Sequence, residues 1–300
     1  MKSKSNPQLY NRSTGNVEVE DAYKSGGLKI LYRTVLGRAV TKSVLIKRRI
    51  SRLYGNYMNS PKSTKKINEF IRHYNIDVSE IKRPLDSFKS FNDFFIRELK
   101  EDARPIDDTP EHLVSPADSR LFVFDLAGKP QLPIKGYWYQ VEDLVKDKAI
   151  ADQYKDGWCF IYRLAPNDYH RYAYLDSGYQ ENVIKINGIL HSVNPIALKE
   201  TPSVMAKNYR ELTILYTDNF GPVAHIEVGA LFVGKIVNRE YGKYKFKRGE
   251  EKGWFEFGGS TVIQLFRKDA IAPDADILEQ TQKGIETIVR LGEKTGIARK

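Results

Sequence analysis

From residue 120 onward the apolar residues recur at every second position, and this restricts the fold more than anything else in the chain. Six segments carry the pattern: RLFVFDL (120–126), WCFIYRLA (158–165), VIKINGILHSV (183–193), ELTILYT (211–217), PVAHIEVGALFVGKIV (222–237) and WFEFGGSTVIQLF (254–266). They are rich in aromatic and β-branched residues, which suit a pleated surface buried on at least one side. Asn219-Phe220-Gly221-Pro222 reads as a turn between two of them. The last segment is interrupted at its centre by Gly258-Gly259-Ser260-Thr261. One reading is a tight hairpin between two buried strands. The other is a reactive serine placed behind two glycines for a chemical reason.

Upstream the period changes. Residues 1–20 are polar and read as loose chain, and residues 22–100 read as helical. Ser60 is a candidate N-cap with Pro61 at the first helical position. Ile67, Phe70, Ile71 and Tyr74 then share one face, as do Phe91, Phe94, Phe95 and Leu99. His73 falls on a helix surface. The stretch EDARPIDDTPEHLVSPADS (101–119) has three prolines and many acids and reads as linker and turn, with His112 solvated. Helical spacing returns in ILEQTQKGIETIVRLGEKTG (277–296). The expected class is therefore α+β: a helical N-terminal part, a strand-rich body and a C-terminal helix. The division falls between 1–105 and 106–300.

Composition narrows the setting. With 300 residues and 41% hydrophobic content the chain can bury a sizeable core. Its one cysteine, Cys159, excludes an internal disulfide, fits a reducing compartment and reads as core packing. No stretch has the roughly 18 uncharged apolar residues of a membrane-spanning helix, and the polar N-terminus lacks the apolar region of a secretory signal. A soluble or peripheral protein is expected.

The net charge of +10 is concentrated. Residues 22–52 hold nine Lys or Arg and no acid, with Leu28, Leu31, Val35, Leu36, Val40, Val44 and Leu45 between them at helical spacing. Such a basic amphipathic segment suits an anionic membrane surface. A solvated helix packed on its own domain has the same pattern. Nucleic acid ranks third, because no nucleic-acid motif accompanies the charge.

Common catalytic motifs are missing. There is no CxxC or HxxxH pattern, so no metal site is expected, and neither a phosphate loop nor a GxSxG elbow is present. One nucleophile and two partners remain: Ser260 behind its glycines, His170 in LAPNDYHRYAY and Asp118 in VSPADS. Each alone has a bland reading as a hairpin residue, a structural histidine or a turn former.

Taken together, FNDFFIRELKEDARPID, SPAD, RLAPNDYHRY, HSVNPIAL, NYRE, IEVGALFVGKI and KRGEEKGWFEFGGSTVIQLF give the chain a resemblance to the phosphatidylserine decarboxylase family, in its bacterial GGST branch. The likeness runs over roughly residues 8–295. It implies a pyruvoyl-dependent carboxy-lyase that converts phosphatidylserine to phosphatidylethanolamine and CO2 through a Schiff base. The pyruvoyl cofactor would come from Ser260 by self-cleavage at Gly259–Ser260, leaving a β chain of 1–259 and an α chain of 260–300 that stay associated. A weak alcohol needs an adjacent base to attack an amide. The resemblance assigns that role to a histidine oriented by an aspartate, here His170 and Asp118. It also brings His191, Ser192 and Asn194 toward the substrate, and implies a peripheral protein at the cytoplasmic face of the cell membrane. Homodimers are plausible on the same ground.

Two positions depart from the family's pattern. Many members carry a second histidine three residues after the first, and this chain has Ala173 there. Either His170 does both jobs, or another group such as His191 helps, or processing is slow. Ser119 also stands where a glycine is usual after the aspartate. Other readings stay open: a pyruvoyl-dependent decarboxylase of a soluble amino acid, a serine hydrolase using Asp118, His170 and Ser260, and an uncleaved lipid-binding relative.

Overall fold

A computed structural model of the protein describes residues 8–20, 48–127, 131–134, 137–189, 204–230, 235–258 and 260–299. Most of the basic segment, Gly259, and His191, Ser192 and Asn194 lie outside the described residues.

The first described residues are strands rather than loose chain. β1 (Gln8–Asn11) and β2 (Asn16–Val19) form an antiparallel hairpin, and β1 also pairs in parallel with a C-terminal strand. Arg12 secures the hairpin through ion pairs to Asp274, Asp276 and Glu293. These partners lie at the far end of the chain, which is why local sequence carried no sign of the strand.

A helical layer comes next: α1 (Arg48–Met58), a 3-10 stretch (Pro61–Lys66), α2 (Ile67–Tyr74) and α3 (Phe91–Phe95). Ser60 precedes Pro61 as expected, but its hydroxyl bonds back to Tyr57 O and does not cap the helix. Ile67, Phe70, Phe91, Phe94 and Phe95 are buried in one cluster with Met58, Ile81 and Phe88. α3 is shorter than its apolar spacing implies. Ser90 caps it by accepting the Asp93 N–H, and Leu99 instead makes a β-bridge with Ile81. His73 is exposed, whereas His112 is half-buried against Asp107 at 2.8 Å.

The body is strand-rich. In chain order it contains β3 (His112–Val114), β4 (Ser119–Asp125), the hairpin β5 (Gln131–Ile134) and β6 (Tyr137–Gln140), then α4 (Val141–Val145) and α5 (Lys148–Asp152). Next come β7 (Trp158–Leu164), β8 (Arg171–Ala173), β9 (Gly178–Gln180), β10 (Ile184–Ile186), α6 (Val204–Lys207), β11 (Arg210–Thr217) and β12 (Gly221–Gly229). β13 (Ile236–Asn238), β14 (Tyr244–Phe246), β15 (Glu251–Phe255), β16 (Ser260–Phe266) and β17 (Ile271–Pro273) continue the series, and α7 (Ala275–Gln282), β18 (Glu286–Val289) and β19 (Lys294–Ala298) close the chain.

Among the described residues the large sheet has eleven strands, in the order β14-β9-β11-β12-β16-β7-β4-β18-β1-β2, with β10 on β11. Its middle strands are buried on both faces. Cys159 and Ile161 of β7 enter one apolar cluster, and Phe160 and Tyr162 enter the other. That alternation is the period of two seen in the sequence. Cys159 is fully buried, and burial pushes its thiol pKa up, so it packs rather than reacts.

Two expectations fail here. The C-terminal helix ends at Gln282, and the chain finishes in β18 and β19. Gly284, at φ +73, closes α7 with the Ile285 N–H on Gln280 O, and the β-branched run after it extends into the sheet. The GGST segment is also not a hairpin. β15 belongs to a three-stranded sheet, β13-β15-β8, while β16 lies in the large sheet between β12 and β7. The chain crosses from one sheet to the other at this point, through Gly258 at φ +144. That backbone region is open to glycine and costly for other residues.

Candidate active site

The crossing point holds the expected nucleophile. Ser260 is the first residue of β16, fully buried, with its Cα opposite Gly229 on one side and Leu164 on the other. β16 is paired along its length with β12 and β7, so the Ser260 side chain has a fixed origin.

His170 meets it. Ser260 Oγ is 3.3 Å from His170 Nδ1. The other ring nitrogen, Nε2, is 3.0 Å from the carbonyl oxygen of Ala165. A carbonyl only accepts, so Nε2 must carry the proton and donate it. Nδ1 is then the bare nitrogen, and the serine hydroxyl donates to it. This is the tautomer a general base requires. The ring stacks on Phe95 with centroids 4.0 Å apart, and the His170 carbonyl accepts the Phe255 N–H at 2.9 Å. The ring is therefore tied to α3 on one side and its backbone to the strand leading into the GGST segment on the other.

Burial lowers the His170 pKa to about 3, and the charges of Arg97 and Arg120 push the same way against the Ala165 bond. The ring is neutral at every physiological pH. A base of this kind keeps working well below the usual histidine range. Any reaction that needs Nδ1 unprotonated should hold its rate from neutral pH down past 6.5 and fall only toward about pH 3. A rate midpoint near 6.5 would mean a solvated ring. The unfolded ring binds a proton below about 6.5, so its contribution to stability is complete above that pH and is lost between about 6.5 and 3.

Asp118 is not brought to the ring. Its carboxylate takes a bidentate grip from Arg104 (2.8 to 3.0 Å) and accepts the Leu291 N–H at 2.9 Å. The histidine is oriented instead by the turn Ala165–Asp168. Asp168 accepts the Ala165 N–H at 2.7 Å, returns its own N–H to Ala165 O at 3.0 Å and pairs with Arg120. Asp168 is the residue that sequence reasoning missed. The signal was local, an aspartate closing the proline turn two residues before His170.

Ala173 lies buried in β8 with its N–H on Pro116 O. It faces a pocket of about 240 Å3 shared with Arg104, Tyr172 and Leu291. A second pocket of about 510 Å3 is bounded by Arg97, Arg104, Asp118, Arg120 and Asp168. Neither is lined by Ser260 or His170. His225 is buried against Gln264 and Glu227 and takes no part in the pair. Among the described residues no three His, Cys, Asp or Glu are grouped to hold a metal ion, and no helix is long and apolar enough to cross a membrane.

Comparison with known proteins agrees with the motifs. The phosphatidylserine decarboxylase family model matches residues 91–297. A Clostridium perfringens protein named phosphatidylserine decarboxylase proenzyme is 44% identical over 96% of this chain and 99% of its own length. The phosphatidylserine decarboxylase proenzyme 2 of Clostridium acetobutylicum is 43% identical over 96% and 97%, and the Clostridium novyi proenzyme is 41% identical over 96% and 98%. With one family matched across most of the sequence and relatives aligned end to end, the chain belongs to the phosphatidylserine decarboxylase family.

Proposed function

We propose that this chain decarboxylates phosphatidylserine to phosphatidylethanolamine with a pyruvoyl group that it makes by cutting itself between Gly259 and Ser260. The observation that carries the reading is the Ser260–His170 pair, with the ring's second nitrogen committed to Ala165. The relatives' name, proenzyme, supports a cleaved product.

The chain's own residues supply the self-cleavage. His170 Nδ1 takes the hydroxyl proton as Ser260 Oγ attacks the Gly259 carbonyl carbon. The peptide C–N bond breaks and an ester replaces the amide. Loss of the residue 260 α-proton then expels the Gly259 carboxylate and leaves dehydroalanine. Water displaces its nitrogen as ammonia, and a ketone remains at the head of chain 260–300. Ala173 cannot act as a base, so His170 does this work alone. Asp118 stays with Arg104 and the Leu291 N–H, apart from this pair. β16 is an interior strand between β12 and β7, which supports continued association of the two chains after the cut.

Ser260 fits as the precursor, being buried, beside a base and preceded by glycine. The pyruvoyl ketone supplies an electron sink for the breaking bond to the substrate carboxyl group. His170 is the candidate to return a proton to the substrate carbon. A substrate carboxylate beside the ring would raise its proton affinity from the buried value.

Intact-mass spectrometry tests the reading. Two fragments split at 259/260, the smaller with a blocked N-terminus, are expected in place of one 34.5 kDa chain. Release of CO2 from phosphatidylserine vesicles but not from free serine would set the lipid reading above a soluble amino acid. An uncut chain after prolonged incubation with anionic lipid would defeat the cofactor.

The lipid substrate puts the protein at an anionic membrane, and we place it peripherally on the cytoplasmic face. Residues 22–52 carry the charge, and α1 begins at Arg48 within them, with Leu53 and Tyr57 exposed one turn apart. Each basic residue near such a surface contributes about 1 kcal/mol, and screening shortens the field from about 10 Å at 0.1 M salt to about 3 Å at 1 M. Co-sedimentation with anionic vesicles should be strong at low salt and mostly lost near 1 M. Binding that ignores both salt and lipid charge would remove the electrostatic anchor.

A further inference from the structure

The serine in this site is held by the large sheet, and the chain that leads toward it is held by other elements. Ser260 Oγ is fixed by the β16 ladder and His170. The carbonyl it must reach belongs to Gly259, which follows Gly258, at φ +144, in the sequence between β15 and β16. The last anchored residue before that pair is Phe257.

Two kinds of contact anchor it. The Phe257 N–H donates to Asn92 Oδ1 at 2.8 Å. The Phe257 ring packs against Phe91 and Phe95, both at 5.1 Å between centroids, and Tyr54 at 5.9 Å. Asn92 is itself buried and fixed, because its Nδ2 donates to Asn59 Oδ1 at 2.9 Å. A backbone N–H needs an acceptor, so the amide can present only its oxygen to Phe257. Asn92 and Phe95 sit one turn apart on α3, and Phe95 also stacks on His170. One short helix therefore touches both the base and the chain entering the scissile bond.

We propose that Asn92 is a positioning residue for self-cleavage, holding the Phe257 backbone so that the Gly259 carbonyl stays within reach of Ser260 Oγ. The proposal rests on the reading that the chain cuts itself at 259/260. It adds that the helical layer, and not only the sheet, sets the rate. Displacement of a reacting group by about 1 Å can cost about a hundredfold in rate.

The test uses newly translated full-length chain in a cell-free chase, with the cut measured by intact mass at several pH values. Asn92→Leu keeps the shape and removes the acceptor, and it should cut about ten- to a hundredfold more slowly. The pH at which its rate falls should match wild type, since His170 is untouched. Asn92→Asp keeps an acceptor for Phe257, and the exposed Asn59 amide can turn to donate to it, so this variant should cut within about threefold of wild type. Melting of each variant in a Ser260→Ala background reports the fold separately. Cutting of Asn92→Leu at the wild-type rate would overturn the proposal, as would a shifted pH midpoint. If Asn92→Leu fails to fold, Asn92→Asp decides: a wild-type rate supports the anchor, and slow cutting by a folded aspartate variant overturns it. A wild-type chain that never cuts would defeat the self-cleavage reading itself and this proposal with it.

Discussion

Replacing Ser260 by alanine will leave a single 34.5 kDa chain with no decarboxylase activity. Alanine removes Oγ, the atom that would attack the Gly259 carbonyl, and no ketone can form at position 260 without it. Amide bonds do not break in water on a useful timescale, so the loss should be complete rather than partial. The fold should survive. The substitution deletes one hydroxyl from a strand held on both sides, and it leaves His170 Nδ1 without its donor. That orphaned acceptor costs about 1–3 kcal/mol, within the reach of an ordinary domain's stability. Intact mass and an assay of phosphatidylethanolamine formation check the result together. Cleavage of Ser260→Ala at 259/260 would mean that the nucleophile is elsewhere.

His170→Ala should slow self-cleavage by about 10²–10⁴-fold, the usual contribution of a positioned general base. The reason is specific to this site. The ring offers Nδ1 to Ser260 because Nε2 is held by Ala165, and Asp118 cannot substitute while Arg104 and Leu291 occupy it. Ala173, three residues further on, offers no second base. Removing the ring also opens a cavity under Phe95, so melting of His170→Ala in the Ser260→Ala background must accompany the rate. Cutting at the wild-type rate with decarboxylation lost would transfer the self-cleavage role to another group and leave His170 to the substrate.

β4, β7, β11, β12 and β16 were legible because each is a local apolar pattern that does not depend on its partner, whereas short strands such as β8, β9 and β14 carry no such pattern. The β11–β12 turn was legible for the same reason. β1 was not legible, because its four residues are placed by β18, at the other end of the chain, as well as by a short hairpin with the exposed β2. The tail misled because Ile277, Leu278 and Gln280 do begin a helix, and only Gly284 and the open edge of β4 turn residues 286–289 into a strand. Asp118 stood out in the sequence beside a proline, yet a nearby arginine claims it. Asp168 looked like an ordinary turn residue, and it sets the carbonyl that fixes the histidine's tautomer.

Residue types and their order along the chain determined the family and the candidate nucleophile and base, since these depend on which chemical groups are present and roughly how they are spaced. Only the tertiary structure decided which atoms meet. Ser260 and His170 lie 90 residues apart and come together because β16 and the β7–β8 turn belong to neighbouring elements. The same packing made the glycine pair a crossing between two sheets rather than a hairpin. It also left Asp118 with Arg104. Long-range pairing is set by what each strand and side chain finds beside it, and no local stretch of sequence carries that information.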